Sequence, residues 1–358
     1  MAADPNHTAP VRAGEELDLA RLGDFLRERL PEFAAALEVE QFPSGHSNLT
    51  YLVRSGTGEL VLRRPPFGTK VKSAHDMGRE YRVLSRLSKV YPKAPRPLLY
   101  CEDPAVVGAP FYLMERLRGI VIRKDLPPEL AAAPETLRRL SESFIENLAL
   151  LHGLEVRSCG LDDLGKPEGY VARQIEGWTR RWQDAQTEAV PGIDQLAAWL
   201  AGHAPPESGA SLIHNDYKLD NLLLDPEDPT RIVGVLDWEM ATLGDPLMDF
   251  GTTLSYWVEP GDPPEFLALR FAPTARPGFL SRAQLVEHYA RASGRDLSNV
   301  LYYYVYGLFK VAVVVQQIYY RWVHGLTRDE RFSILGETAK ALGRQAAEAV
   351  EAGSIAPP

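Results

Sequence analysis

The most informative stretch of this sequence alternates polar runs with short apolar runs. It reads His214-Asn-Asp-Tyr-Lys-Leu-Asp-Asn221-Leu-Leu-Leu, then Ile232-Val-Gly-Val-Leu-Asp237-Trp-Glu239, then Gly244-Asp-Pro-Leu-Met-Asp249. Short apolar runs rich in branched residues and bounded by turn residues are typical of β-strands. The runs Leu222–Leu224 and Ile232–Leu236 therefore predict a tight hairpin that holds the neighbouring polar side chains in place.

The side chains on this scaffold suit the transfer of a phosphoryl group. That reaction depends mainly on positioning and charge neutralisation, with one group to orient the attacking hydroxyl and accept its proton. Mg²⁺ prefers a few carboxylate and amide oxygens together with phosphate oxygens. Asp216 is therefore the candidate base, and Asn221 and Asp237 are the candidate metal ligands.

The regions on either side of this stretch predict an α+β protein with two lobes. Residues 1–14 are expected to be a disordered lead-in, residues 15–117 a small antiparallel β lobe with one key helix, and residues 118–358 a larger, mainly helical lobe. Strands are predicted over Val39–Phe42, Leu49–Arg54, Glu59–Arg64, Pro97–Cys101 and Ala109–Glu115, and helices over Leu17–Leu37, Ser73–Val90, Pro134–Gly153, Tyr170–Ala185, Ile193–Ala201, Arg282–Ser293, Leu301–His324 and Arg331–Ala352.

Composition narrows the class of protein. The chain has 358 residues, with 39 Lys and Arg against 48 Asp and Glu, so its net charge is −9. A nucleic-acid partner is disfavoured because such binders normally carry a basic excess. The apolar stretch Val300–Val315 contains Lys310 and predicts a buried helix rather than a membrane span. Only Cys101 and Cys159 are present, which favours a reducing, cytoplasmic setting. The sequence does not predict the oligomeric state.

The motifs resemble those of a known family. The pattern H-x-D-x-x-x-x-N, followed by an apolar strand ending in Asp, resembles the protein-kinase-like signature. The D-W-E and G-D-P-x-x-D that follow resemble the aminoglycoside/choline phosphotransferase family. The segments Gly45–Tyr51, Val61–Pro66 and Tyr303–Thr327 are similar to bacterial phosphotransferase-family proteins and to the kinase-like domain fused to some acyl-CoA dehydrogenases. The resemblance covers about residues 35 to 345 and implies a protein-kinase-like bilobal fold that uses ATP and Mg²⁺.

For the catalytic run, the resemblance implies specific roles. Asp216 is the base, Lys218 neutralises the γ-phosphate, Asn221 and Asp237 bind Mg²⁺, and Glu239 reaches a second metal. Many aminoglycoside kinases lack a lysine at the position of Lys218. Three neighbouring side chains are predicted to support the loop: His214 as a buried brace, Asp249 as a hydrogen-bond partner of the loop backbone, and Asp245 as a helix cap or metal-adjacent carboxylate.

In the β lobe, a turn and a strand are expected to hold the phosphates. Gly45, Ser47 and Asn48 lie in a segment that resembles the phosphate-covering loop, although a plain hairpin turn explains it equally well. On the third strand, period 2 places Val61 and Arg63 on one face. Arg63 stands where kinases carry a lysine, with Glu80 on the next helix as its expected partner, and Arg64 is predicted to point away into solvent.

Between the lobes, the segment Phe111–Leu117 resembles the kinase linker. By that resemblance, Met114 lies behind the adenine. Main-chain groups of Glu115 and Leu117 then hydrogen-bond to it.

The acceptor site is the least determined part. Candidates near Asp216 are aromatic and basic residues of the helical lobe, each of which could equally be a core or surface residue: Arg173, Trp178, Arg181, Tyr256, Trp257, Lys310, Gln317, Tyr320 and Arg321. An aminoglycoside pocket would need to be acidic. The candidates therefore favour a neutral or anionic small-molecule hydroxyl, such as a hydroxyacyl or polyol compound.

Two alternatives stay open at this point. A pseudokinase, which would bind nucleotide without turnover, is favoured by Arg63 and by the glycine-poor loop. It is disfavoured by the intact Asp216, Asn221 and Asp237. An aminoglycoside kinase would share the chemistry and differ only in its acceptor.

Overall fold

The fold is given by a computed structural model that describes residues 8–43, 48–56, 58–67, 76–190, 192–327 and 329–357. Gly45 and Ser47, the predicted phosphate-loop residues, lie outside the described residues. Ala9 falls in the segment expected to be disordered, yet it exchanges backbone hydrogen bonds with Gln41.

The N-terminal lobe is built on one antiparallel sheet in the order β1-β2-β3-β5-β4. Its elements are β1 (Leu37–Gln41), β2 (Leu49–Ser55), β3 (Gly58–Arg64), β4 (Pro97–Cys101) and β5 (Phe111–Glu115), with α1 (Leu19–Arg29), α2 (Met77–Leu87) and α3 (Pro104–Val107). The five predicted strands are confirmed. The predicted first helix is wrong beyond Arg29, because a residue before proline is disfavoured in the α conformation and Leu30 precedes Pro31. Leu37 instead begins β1.

Helix α2 presents a charged residue to the interior. Asp76 caps the helix by accepting a hydrogen bond from the Arg79 N–H. Its buried face includes Met77, Val83 and Leu84, and also Glu80, which is only 2% exposed. A buried carboxylate at this position requires a cationic partner.

The C-terminal lobe is mainly helical and contains two short antiparallel strand pairs. Its elements are α4 (Pro128–Ala131), α5 (Pro134–His152), α6 (Tyr170–Asp184), α7 (Ile193–Gly202), β6 (Ser211–Ile213), β7 (Leu222–Leu224), β8 (Ile232–Val235), β9 (Thr242–Gly244), α8 (Pro246–Ser255), α9 (Pro264–Leu267), α10 (Arg282–Ser293), α11 (Val300–Val323) and α12 (Leu335–Ala352). The predicted hairpin is confirmed as β7 and β8, while β6 pairs with β9. Among the described residues, no helix has both the length and the apolar character needed to span a membrane.

Helices α8 and α11 touch backbone to backbone in the centre of this lobe. A Cβ added to Gly251 would lie 2.0 Å from the Tyr303 carbonyl oxygen, and one added to Gly307 would lie 2.3 Å from the Gly251 carbonyl oxygen. Neither position can hold a side chain without separating the helices. The two glycines therefore set how closely α11 approaches the loop between β6 and β7.

Candidate active site

The loop from His214 to Asn221 connects β6 to β7 and is anchored through its backbone. Asp249, on α8, accepts hydrogen bonds from the N–H groups of His214 (2.7 Å) and Asn215 (2.8 Å). The His214 Nε2 lies 2.9 Å from the Leu236 carbonyl oxygen, and the Asp216 N–H donates to His214 Nδ1. Asp245 caps α8. The bracing predicted for His214, Asp249 and Asp245 is therefore present.

Asp216 is held at both of its carboxylate oxygens. Tyr256 donates its hydroxyl to Oδ1 at 3.0 Å, and the Asn221 amide donates to Oδ2 at 3.0 Å. The Lys218 ammonium lies 3.3 Å from Oδ2. The side chains of Asp216 and Lys218 remain 20% and 26% exposed, so a ligand can reach both. The carboxylate is fixed and accessible, as a base needs to be.

The charges around Asp216 favour an ionised lysine and a neutral tyrosine. Burial by itself would lower the pKa of Lys218, but the neighbouring carboxylates, chiefly Asp216, hold it well above its ordinary value. Burial raises the pKa of Tyr256, and the negative charge of Asp216 adds to that rise. Tyr256 therefore stays a hydrogen-bond donor, and Lys218 supplies a fixed positive charge.

Across the cleft, the Arg63 guanidinium connects three parts of the chain, namely β3, α2 and the segment after β8. Its Nε lies 3.2 Å from Glu80 Oε2. Its terminal nitrogen Nη2 lies 2.8 Å from Asp237 Oδ1 and 3.4 Å from Glu239 Oε2. The predicted Arg63–Glu80 pair is thus confirmed. Burial would raise the pKa of Asp237, but the charge and the hydrogen bond of Arg63, together with the charge of Lys218, outweigh burial and lower that pKa. Asp237 therefore stays ionised.

The segment after Asp237 is tied to the N-terminal lobe at two further points. Asn48 donates its amide to Glu239 Oε2, which links the predicted phosphate loop to the predicted second metal ligand. Arg79 donates to the carbonyl oxygens of Glu239 (3.0 Å) and Ala241. The sequence analysis missed Arg79, although its position next to Glu80 on α2 was a signal that it could face the same segment.

The predicted environment of Arg64 is wrong. Arg64 points away from Glu80 as expected, but it is only 1% exposed. It donates to the Val107 carbonyl oxygen at 2.6 Å and lies over the Phe67 ring, 3.5 Å from its centroid. Strand alternation gives the direction of a side chain, but not whether another element, here α3, covers it.

The linker residues Met114, Glu115 and Leu117 lie at the end of β5 and just after it, and their contacts with adenine stay predictions. Met114 pairs with Val61 across β3 and β5, and both side chains are buried. The Glu115 N–H already donates to the Arg96 carbonyl oxygen at 3.0 Å. Of its two main-chain groups, the carbonyl group is therefore the one left for the predicted contact with adenine. A Cβ added to Gly234 would lie 3.0 Å from the Leu117 side chain, so Leu117 packs on β8.

The structure brings only some of the acceptor candidates to Asp216. Tyr256 contacts it directly, whereas Trp257 is buried and donates to the Leu280 carbonyl oxygen. Arg173 turns back onto the carbonyl oxygens of Lys166 and Glu168. The remaining candidates lie along α6 and α11: Trp178 is buried beside Arg181, Gln317 and Tyr320 are half-buried, and Arg321 is exposed.

Comparison with known proteins gives a family model and longer relatives that match most of this chain. The model of the phosphotransferase enzyme family matches residues 38–292. Acyl-CoA dehydrogenase family member 11 from Rattus norvegicus is 32% identical over 342 residues, which cover 94% of this chain and 43% of the relative. Probable acyl-CoA dehydrogenase IBR3 from Arabidopsis thaliana is 33% identical over 340 residues, covering 90% and 40%. The chain thus spans less than half the length of these relatives.

Solved structures agree with the predicted fold. A crystal structure from Ralstonia eutropha, assigned provisionally as an aminoglycoside phosphotransferase, has a TM-score of 0.76 at 31% identity and covers 93% of this chain and 99% of its own. Ethanolamine kinase from Plasmodium vivax has a TM-score of 0.62 at 11% identity, covering 93% and 88%. These matches confirm the protein-kinase-like α+β fold.

Proposed function

Because the chain belongs to the phosphotransferase enzyme family, we propose that it transfers the γ-phosphoryl group of ATP, with Mg²⁺, to a hydroxyl of a small molecule. The observation that carries this proposal is the convergence of two groups of side chains on one cleft. Asp216 and Lys218 form the first group, and Arg63 with Asp237 forms the second. The two groups are linked through Asn221, whose amide donates to Asp216 and whose carbonyl oxygen accepts from the N–H of Leu236, the residue before Asp237.

In this proposal, Asp216 acts on the acceptor. The acceptor hydroxyl donates its proton to Asp216 while its oxygen forms a bond to the γ-phosphorus, and the bond between that phosphorus and the β,γ-bridging oxygen breaks to leave ADP. Tyr256 and Asn221 keep the carboxylate in one orientation. Lys218 offsets the negative charge on the transferred group.

The residues present fit Mg²⁺. The Asn221 amide donates its N–H group to Asp216, which leaves the amide oxygen as a ligand, and Asp237 adds an ionised carboxylate. Within the described part of the chain, no cluster of three or more His, Cys, Asp or Glu side chains could hold a metal. Two protein ligands suit Mg²⁺, which keeps several waters and binds substrate phosphates. The bound ion would neutralise phosphate charge.

On the nucleotide side, Arg63 is the proposed phosphate-binding cation. Glu80 pairs with the Nε of Arg63, while the Nη2 nitrogen, which contacts Asp237 and Glu239, lies on the cleft side. An arginine can bind two phosphate oxygens with its planar fork and stays charged at any accessible pH. The replacement of lysine by arginine therefore leaves the chemistry intact, which argues against a pseudokinase.

For the acceptor we propose a non-cationic hydroxyl compound, with a hydroxyacyl compound as the leading candidate. The groups nearest Asp216 include the Tyr256 ring and the Lys218 ammonium, which lies 5.0 Å from its centroid, and Phe271 packs edge-on against Tyr256. Such a surface suits an apolar or anionic ligand better than a polycation. The names of the longer relatives, acyl-CoA dehydrogenases, support an acyl-containing acceptor.

The proposal is tested by measuring ADP release with ATP and Mg²⁺ against hydroxyacyl-CoA thioesters, polyols, choline and an aminoglycoside. We expect turnover with a non-cationic member of the panel and a fall of roughly 10²–10⁴-fold when Asp216→Asn replaces the wild type. Calorimetry of ATP binding runs alongside. Tight, Mg²⁺-dependent ATP binding without turnover on any acceptor would favour the pseudokinase, and turnover on the aminoglycoside alone would favour a resistance kinase.

A further inference from the structure

A buried lysine from a distant helix holds the residue that precedes Asp216. Lys310, on α11, is 3% exposed. Its ammonium donates to the Asn215 carbonyl oxygen at 2.7 Å and to the Asn215 Oδ1 at 3.2 Å. Both acceptors belong to one residue, so Lys310 fixes the backbone and the side chain of Asn215 together.

The backbone of Asn215 is left-handed, with φ at 67°. Asparagine enters this region more readily than most residues other than glycine, and the contacts around it select this conformation over the right-handed and extended ones. Asp249 accepts from the Asn215 N–H, Tyr170 donates to its Oδ1, and its own amide donates to the Met240 carbonyl oxygen. Lys310 is the cation in this set, and among the described residues it is the one that donates to the carbonyl group leading into Asp216.

The close crossing of α8 and α11 brings the two charged anchors to the loop. Asp249 lies two residues before Gly251, and Lys310 lies three residues after Gly307. The backbone contact between these glycines places an anion and a cation on opposite sides of the Asn215 peptide groups. The anion takes the N–H and the cation takes the C=O, which matches the polarity of each group.

Lys310 carries its charge without a direct counter-ion. Among the described residues, no carboxylate forms an ion pair with it within 4.0 Å. The charged groups that face it are Asp249 from α8, Asp216 from the loop and Arg181 from α6. Burial lowers the pKa of Lys310 to about 8, against the opposing effect of the two carboxylates.

We propose that Lys310 is a positioning residue for phosphoryl transfer, whose ammonium sets Asp216 by holding Asn215 left-handed and whose deprotonation loosens that hold. This inference rests on the proposed function, because it concerns the same base. Lys310 itself touches neither the nucleotide nor the acceptor in this role. Its effect should therefore appear in kcat and not in nucleotide affinity.

The first test separates kcat from binding. We expect Lys310→Met to lower kcat at least tenfold while the Kd for ATP and Mg²⁺ changes less than twofold, and Lys310→Arg to recover part of the loss. Lys340→Met, which removes a surface lysine paired with Glu188 and Glu337, is the matched control and should leave kcat unchanged. Equal kcat for Lys310→Met and wild type would overturn the proposal.

The second test uses pH, because a rise in pH should lower kcat and at the same time raise the stability of the folded protein. Wild-type kcat should fall as pH rises through about 8, and Lys310→Arg should shift that fall to higher pH. The pKa of Lys310 in the folded protein lies below its ordinary value of 10.5. Burial of the charged ammonium therefore lowers the free energy of unfolding by its full amount below pH 8, and this penalty disappears as pH rises towards 10.5. The unfolding midpoint of wild type relative to Lys310→Met should therefore rise across that window. If kcat and the unfolding midpoint of wild type instead fell together as pH rises, Lys310 would have a structural role only.

A third measurement does not depend on turnover. Hydrogen exchange of the His214 and Asn215 amides should quicken at least tenfold in Lys310→Met, and it should stay slow in Lys340→Met. One outcome is that none of the acceptors supports ATP consumption by wild type, while amide exchange still quickens in Lys310→Met. The proposed function then fails, and the contact by which Lys310 holds Asn215 stands. If wild type turns over and the exchange rate does not change, the inference about Lys310 fails alone.

Discussion

The two walls of the cleft are held by different kinds of interaction. On the nucleotide wall, side chains from both lobes pair with one another: Arg63 with Glu80, Asp237 and Glu239. On the acceptor wall, the charged side chains Asp249 and Lys310 bind the backbone of the loop that carries Asp216. Ion pairs can exchange partners when phosphates or a metal arrive, whereas a backbone group gives up its partner only if the loop moves. The nucleotide wall is therefore adaptable and the acceptor wall is preformed.

The largest effect is expected from Asp216→Asn, which changes only the acceptor wall. Turnover should fall by roughly 10²–10⁴-fold, the usual range for a general base, because the amide cannot accept the proton. ATP affinity should stay the same, since the nucleotide contacts Asp216 little. Steady-state kinetics and calorimetry measure the two quantities, with Asp228→Asn on the β7–β8 turn as the control. Near-wild-type turnover would remove Asp216 from its proposed role.

Next in size is Asp237→Ala, on the nucleotide wall. Outer-shell partners of a metal are already worth about 10–100-fold in affinity, so loss of a direct ligand should cost at least that much. We expect Mg²⁺ to tighten ATP binding in wild type and to have no effect in the mutant. Calorimetry with and without Mg²⁺ decides the point. The same metal enhancement in both proteins would end the assignment of Asp237 as a ligand.

Arg63 and Arg64 are neighbours whose substitutions should affect different properties. Arg63→Ala should weaken ATP binding by about 1.5–3 kcal/mol, the scale of a hydrogen bond to a charged group, while Arg63→Lys keeps measurable activity. Arg64→Ala should leave ATP binding nearly unchanged. It should lower the free energy of unfolding by about 1–3 kcal/mol, because the Val107 carbonyl group loses its buried donor.

Nucleotide titration and denaturant unfolding of the Arg63 and Arg64 variants measure these two properties. A larger loss of ATP affinity in Arg64→Ala than in Arg63→Ala would contradict the assignment.

The smallest effect is expected from Tyr256→Phe. It removes one hydrogen bond to a carboxylate that is partly exposed, and water can replace the lost donor. The activation free energy should rise by about 1 kcal/mol, which lowers turnover roughly fivefold. ATP affinity and the unfolding midpoint should not change. A loss as large as that of Asp216→Asn would show that the acceptor wall depends on Tyr256 more than on its backbone anchors.

The sequence predicted features that are set by local spacing. The loop from His214 to Asn221 and the hairpin after it follow from runs that are continuous in the chain, and the Arg63–Glu80 pair follows from strand alternation plus one helix. The end of α1 at Arg29 was also readable, because Leu30 precedes a proline. These inferences compare residues that lie in one element or in consecutive elements of the chain.

Other features depend on contacts between segments far apart in the chain. Arg64 is buried because α3 covers it, Tyr256 reaches Asp216 across 40 positions, and Lys310 reaches Asn215 across 95. Trp257 shows the reverse case, since it follows Tyr256 directly yet points into the core. Both residues follow Ser255, the last residue of α8, and nothing in the local pattern says which of them faces the cleft.

The glycine contact between α8 and α11 limits how this protein can be altered. Gly251 and Gly307 touch no ligand in the proposed mechanism, yet a side chain at either one would separate the helices that carry Asp249 and Lys310. Both anchors would move, and the loop with Asp216 would move with them. In a library screened for new acceptors, these two positions should therefore be kept constant. Diversity is better placed at Phe271, which packs edge-on against Tyr256, while Tyr256 itself is kept because it donates a hydrogen bond to Asp216.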